Sequence, residues 1–110
     1  MMIRVWEYDV PEGAAAEFER VYGPEGRWAQ LFSSSDGFEG TELFVSLSSP
    51  GRYLTVDRFR EEASWHRFQT KHRNAYLELD AESEGLTLDE RELAGPDVGG
   101  PGFTESNPVG

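Results

Sequence analysis

Apolar residues along this chain alternate, then recur at helical spacing, then alternate twice, turn helical again and end in alternation, an order that leaves few folds open. "IRVWEYDV" reads as a first strand, with Ile3, Val5, Glu7 and Asp9 on one face and Arg4, Trp6, Tyr8 and Val10 on the other. "PEG" at 11–13 turns the chain into "AAAEFERVY", where Phe18, Val21 and Tyr22 share a helical face. "GPEG" at 23–26 breaks that helix, because glycine and proline both disfavour its continuation, and "RWAQLF" resumes with Trp28, Leu31 and Phe32 on one side. "FEGTELFVSL", the turn "SSPGR" and "YLTVDRF" predict a hairpin. Residues 61–79 predict a second long helix, and "SEGLTLDERELA" a last strand with Leu86 and Leu88 on one face and Thr87, Arg91 and Leu93 on the other. From Gly95 onward glycine and proline are too frequent for either element, so the sequence divides into a domain over 1–94 and a Gly/Pro-rich tail over 95–110.

The resulting β-α-β-β-α-β order is the ferredoxin-like α+β arrangement, one antiparallel sheet with its helices on one face. The strands carry apolar groups on both faces, so the uncovered face would be an association surface, and a homodimer in which two sheets meet is expected.

Composition removes several functions. Cysteine is absent, which excludes disulfides, thiolate nucleophiles and thiolate metal or cluster sites. Formal net charge is −11, from 21 acidic and 10 basic side chains scattered along the chain, so nucleic acid is not an expected partner. No window approaches the ~20 apolar residues of a membrane span, and "MMIRVWEYDV" has no apolar export segment, so a cytoplasmic protein with no membrane partner is expected. Glycine-rich phosphate loops and a serine-nucleophile elbow are also missing.

The segment "EEASWHRFQTKHRNAYLELD" holds both histidines. At about 100° per residue Trp65, Phe68, His72, Tyr76 and Leu79 share a stripe, whereas His66 projects toward solvent. The two histidines cannot chelate one metal, and no metal site is expected. His72 admits two readings: a neutral core histidine bonded to its surroundings, or a base lining a cavity between helix and sheet. Asp57 and Arg58 are adjacent in a strand and so face opposite ways; either one of them meets a partner or a cavity mouth, or they belong to an edge-exposed ion pair.

In this order, "VPEGAAAEFERVYGPEGRWAQLF" (10–32), "GFEGTELF" (37–44) and "RYLTVDRFREEASWHRFQTKHRNAY" (52–76) resemble the antibiotic biosynthesis monooxygenase family, over roughly residues 3–93. The resemblance implies a dimeric α+β barrel and an activity among cofactor-independent oxygenases of phenols and quinols, haem-degrading enzymes, or proteins without known activity. The haem-degrading branch pairs a first-strand asparagine with a tryptophan and a histidine on the second long helix. Here those positions fall on Trp6, Phe68 and His72, which argues against that branch.

The reading that follows is a cofactor-free monooxygenase for a small aromatic or quinol-type molecule, with no bound cofactor. Trp6, Trp28, Phe32, Trp65, Phe68 and Tyr76 would form the substrate walls, His72 the base, and Arg58 an anion-stabilising group. The alternatives are a non-catalytic dimer that binds a small hydrophobic molecule and a structural dimer without a pocket.

Overall fold

The computed structural model describes residues 1–96. Strand β1 spans Met2–Asp9; a 3₁₀ turn at Glu12–Ala14 leads into helices α1, Ala15–Tyr22, and α2, Arg27–Phe32. Strands β2, Phe38–Val45, and β3, Arg52–Phe59, form the hairpin. Helices α3, Glu62–Lys71, and α4, Arg73–Ser83, precede a 3₁₀ turn at Glu84–Leu86 and the last strand β4, Asp89–Ala94. The sheet order is β2-β3-β1-β4 and every pairing is antiparallel, which is the ferredoxin-like α+β topology expected from the sequence.

Alternation along the strands decides what the helices cover. On β1 Arg4, Tyr8 and, beyond the strand, Val10 are buried, and on β3 Tyr53, Thr55, Asp57 and Phe59 are. The helices lay Phe18, Phe32, Trp65 and Phe68 over this face, and Phe32 packs at ring-centroid distances of 5.3–6.1 Å against Phe38, Phe59, Trp65 and Phe68. Rings meeting edge to face in this way add directional attraction to the area they bury. Two glycines are needed by geometry. Gly26, where α2 begins, lies so close to the end of α1 that a Cβ there would sit 2.3 Å from the Val21 carbonyl oxygen. Gly40, with φ of 134°, sits where the β2–β3 register shifts by a bulge.

Two expectations need correction. The long helix predicted over 61–79 bends: His72 has φ −118° and ψ 26°, outside the helical region, so α3 ends before it and α4 starts after it and runs on to Ser83. Hydrogen bonds still bridge the bend, from His72 N–H to the Phe68 carbonyl at 2.8 Å and from Tyr76 N–H to the His72 carbonyl at 2.9 Å. The last strand starts later than its alternation suggests, because the chain around Gly85 first coils into a 3₁₀ turn and leaves Leu88 exposed. Of the tail expected over 95–110, all but Gly95 and Pro96 lies outside the described residues.

The opposite sheet face carries no helix. Val5, Leu54 and Val56 form its middle, with Ile3, Phe44 and Leu93 exposed around them. Charged side chains border this patch: Arg91 bridges Glu7 at 2.9 Å and Asp9 at 3.3 Å, Arg52 bridges Asp9 at 3.0 Å, and Arg58 pairs with Glu42.

Candidate active site

A narrow cleft opens between the inner sheet face and the helices; its cavity volume is about 50 Å³, within about 440 Å³ of free space that takes in the open solvent at its mouth. Its floor comes from β1 and β3, where Arg4, Trp6 and Tyr8 stand beside Thr55 and Asp57, with Thr41 from β2. Tyr22, Trp28 and Phe32 close one side and Tyr76 another. Asp80 on α4 and Glu90 on β4 also line it.

The polar centre follows from strand register. Arg4 pairs with Asp57 across β1 and β3, so both side chains must point the same way, into the cleft. Arg4 Nη1 donates to Asp57 Oδ2 at 3.0 Å, and the Thr41 hydroxyl donates to Asp57 Oδ1 at 2.7 Å. Arg4 and Asp57 are 6% and 5% exposed, so their charges act with little screening by water. Burial raises the Asp57 carboxyl above its ordinary value, against the pull of Arg4 and Thr41 in the other direction. The guanidinium is further held over aromatic faces, its Cζ 4.3 Å from the Trp65 centroid and 5.4 Å from that of Phe32. Arg4 Nε and the indole nitrogen of Trp6 are buried without a hydrogen-bond partner among the described residues. Buried donors left in this state are costly, and a ligand oxygen would satisfy them.

Three phenols complete the lining. Tyr8 lies 3.3 Å from the Thr55 hydroxyl, and burial pushes its phenol well above the usual range. Burial likewise raises Tyr22 to about 12 and raises Tyr76. All three therefore stay protonated near neutral pH and can donate to a bound acceptor.

Among the residues singled out from sequence, Trp6, Trp28, Phe32 and Tyr76 line this cleft. Trp65 and Phe68 stand behind it in the core, Trp65 under the Arg4 guanidinium. His72 is not a lining residue: it sits at the bend between α3 and α4, its ring 5.4 Å from that of Phe68 and its Nε2 buried without a partner among the described residues. Arg58 points to the other sheet face, toward Glu42. Arg4, Thr41, Thr55, Asp80, Glu90 and the phenols Tyr8 and Tyr22 are lining residues that the sequence reading did not propose for the site, and Asp57 entered it only as one of two candidates for a cavity mouth. A signal for the ion pair existed, since Arg4 is the one charged residue on the Trp6/Tyr8/Val10 face of its strand. No group of acids and histidines among the described residues could hold a metal ion, and no helix among them is long and apolar enough to cross a membrane.

The model of the antibiotic biosynthesis monooxygenase family matches residues 1–78. The chain belongs to this family. None of the curated proteins compared matches it. Among solved structures it resembles SnoaB, a cofactor-independent oxygenase from Streptomyces nogalater, at 19% identity and a TM-score of 0.66, over 88% of this chain and 94% of that one. A Deinococcus radiodurans protein named for the antibiotic biosynthesis monooxygenases aligns at 20% identity and a TM-score of 0.65, over 86% of this chain and 89% of that one. A Lactobacillus acidophilus protein named for the monooxygenases aligns at 13% identity and a TM-score of 0.64, over 83% of this chain, which spans only 41% of that protein's length. At these identities the likeness is one of fold.

Proposed function

We propose that this member of the antibiotic biosynthesis monooxygenase family is a homodimeric, cofactor-independent monooxygenase for a small phenolic or quinol-type substrate bound in the aromatic cleft. The observation that carries the reading is the buried Arg4–Asp57 pair, which sets a carboxylate of raised basicity beside unpartnered donors in a cavity walled by rings. The likeness to SnoaB, named as a cofactor-independent oxygenase, supports the same direction.

In this mechanism each Asp57 oxygen accepts one protein hydrogen bond and keeps a further lone pair for the substrate hydroxyl. Asp57 takes that proton, and Arg4 Nε and Trp6 Nε1 hold the phenolate oxygen that results. The electron-rich ring passes one electron to dioxygen; the radical and superoxide combine at carbon, and loss of water leaves a carbonyl. For a ring methylene the balance is CH₂ + O₂ → C=O + H₂O, with all four electrons that reduce dioxygen supplied by the substrate. Dry aromatic walls keep the phenolate and the radical away from water.

Oxygen uptake by the purified protein with a quinol or anthrone tests this. Asp57→Asn should lower turnover by about 10²-fold or more. Uptake that Asp57→Asn leaves unchanged would remove the carboxylate from the mechanism. Tight binding with no uptake by the wild type would leave a non-catalytic binding protein.

A further inference from the structure

Resting on the reading of the cleft as a substrate site, we infer that its ligand is cationic at the outer end: an aromatic molecule whose oxygen meets Arg4 and whose side arm carries an ammonium group between Asp80 and Glu90.

Charge balance within the cleft leads there. One guanidinium stands among three lining carboxylates, and it already faces Asp57. That leaves Asp80 and Glu90 uncompensated by any basic lining residue. Glu90 accepts a hydrogen bond from the Thr87 hydroxyl at 2.9 Å, which orients a carboxylate without neutralising it. The two acids come from different elements, α4 and β4, yet both act on the same wall: each raises the pKa of Tyr22, and Asp80 also raises that of Tyr76.

Three aromatic rings line the same cleft as these acids. Trp28 lies 6.2 Å from Tyr22 and 5.1 Å from Tyr76, the latter at 70°, so its neighbours present faces and edges at different angles. Ring faces attract cations, and the exposed carboxylates at the cleft edge add a solvent-screened attraction to it. A carboxylate-bearing ligand would meet repulsion at the same place.

That a ligand belongs here follows from a separate observation at the inner end, where Arg4 is 6% exposed and keeps an unpartnered Nε beside the unpartnered Trp6 Nε1. Donors inside and acids outside describe a molecule with an acceptor oxygen at one end and a positive charge at the other. Asp80 and Glu90 both lie beyond the family-matched residues 1–78.

Calorimetric titration with three naphthols that differ only in a side arm, dimethylaminomethyl, isopropyl or carboxymethyl, tests the inference. The cationic naphthol should bind at least about fivefold tighter than the neutral one, and the anionic one most weakly. In the double variant D80N/E90Q, whose replaced side chains are exposed, the preference for the cationic over the neutral naphthol should vanish. Equal affinity for the cationic and neutral arms in the wild type overturns the inference. So does a preference that survives in the double variant, since the net charge of −11 would then be its source. Absence of binding by all three overturns it together with the cleft reading. Charge-blind binding with intact oxygen uptake overturns it alone, whereas a cationic preference without uptake supports it and removes only the oxygenase reading.

Discussion

Asp9 and Asp57 belong to neighbouring strands but face opposite sides of the sheet, and their carboxyls shift in opposite directions. Hydrogen bonds from Arg52, and then from Arg91, hold Asp9 below its ordinary value; burial holds Asp57 above it. The signs for stability follow. Asp9 contributes stability above the ordinary carboxylate range and loses it as pH falls through its lowered pKa. Asp57 binds its proton more tightly folded than unfolded, so stability falls as pH rises from the ordinary carboxylate value through the raised one. Melting temperatures across the acid range should therefore show the gap between wild type and Asp9→Asn widening with pH, and that between wild type and Asp57→Asn narrowing. Parallel curves would refute both shifts. His72 gives a second residue-scale prediction. Its Nε2 is buried with no partner to strand and it lies outside the cleft lining, so His72→Leu should leave turnover within error of wild type and keep or raise the melting temperature. A drop in turnover with unchanged melting would restore His72 as a base. Helical spacing put His72 on the apolar stripe, but a stripe cannot say whether a wall or a packed core lies opposite. Strand alternation separated Asp57 from Arg58 without saying which of them faced inward; only the pairing with Arg4 decides that.

At the scale of elements, the hydrophobic period located every strand and both helical layers, because each element buries one face and the burial imposes the period. It could not show the bend at His72, since Trp65, Phe68, Tyr76 and Leu79 keep to one side across it and the hydrogen bonds continue. The break between α1 and α2 was legible because glycine and proline mark it. Gly26 has a structural consequence there. A Cβ at this position would meet the carbonyl oxygens of Arg20 and Val21 at 2.5 and 2.3 Å, and these belong to backbone that cannot swing aside. Gly26→Ala should cost about 1–3 kcal/mol in urea unfolding, the usual range for forced overpacking. Because Trp28 follows two residues later as a cleft wall, the same substitution should raise KM more than it lowers kcat. An alanine variant as stable as wild type would show that the α1–α2 turn can relax. Phe32, 1% exposed and in contact with five other rings, should be costlier: Phe32→Ala is expected to lose about 3–5 kcal/mol. A loss below 1 kcal/mol would mean that the surrounding rings close the gap.

For the whole molecule, the uncovered sheet face is the feature that topology makes unavoidable. Four strands with helices on one side leave the other face without a helix: Val5 and Leu54 are half-buried there, Val56 is buried, Ile3, Phe44 and Leu93 are exposed, and the arginine–carboxylate pairs around them form a polar border. Two such faces meeting about a two-fold axis would bury an apolar centre within a polar rim. Light scattering at micromolar concentration should return twice the chain mass for wild type and the single chain mass for Leu54→Arg, with the cleft's ligand binding retained in both. A monomeric wild type would overturn the dimer. The Arg4–Asp57 pair carries one more consequence, for the way the chain finds its fold. Sliding β3 by one residue against β1 would turn Asp57 to the outer face and carry Arg58 inward beside Arg4, placing two like charges among aromatic rings. A slip of two would keep Asp57 inside but take it away from its counter-ion, which is strongly unfavourable for a buried charge. Misaligned sheets are thus penalised far more heavily than an all-apolar floor would penalise them, and the same pair that readies the cleft for a substrate also acts as a proofreader of strand alignment during folding.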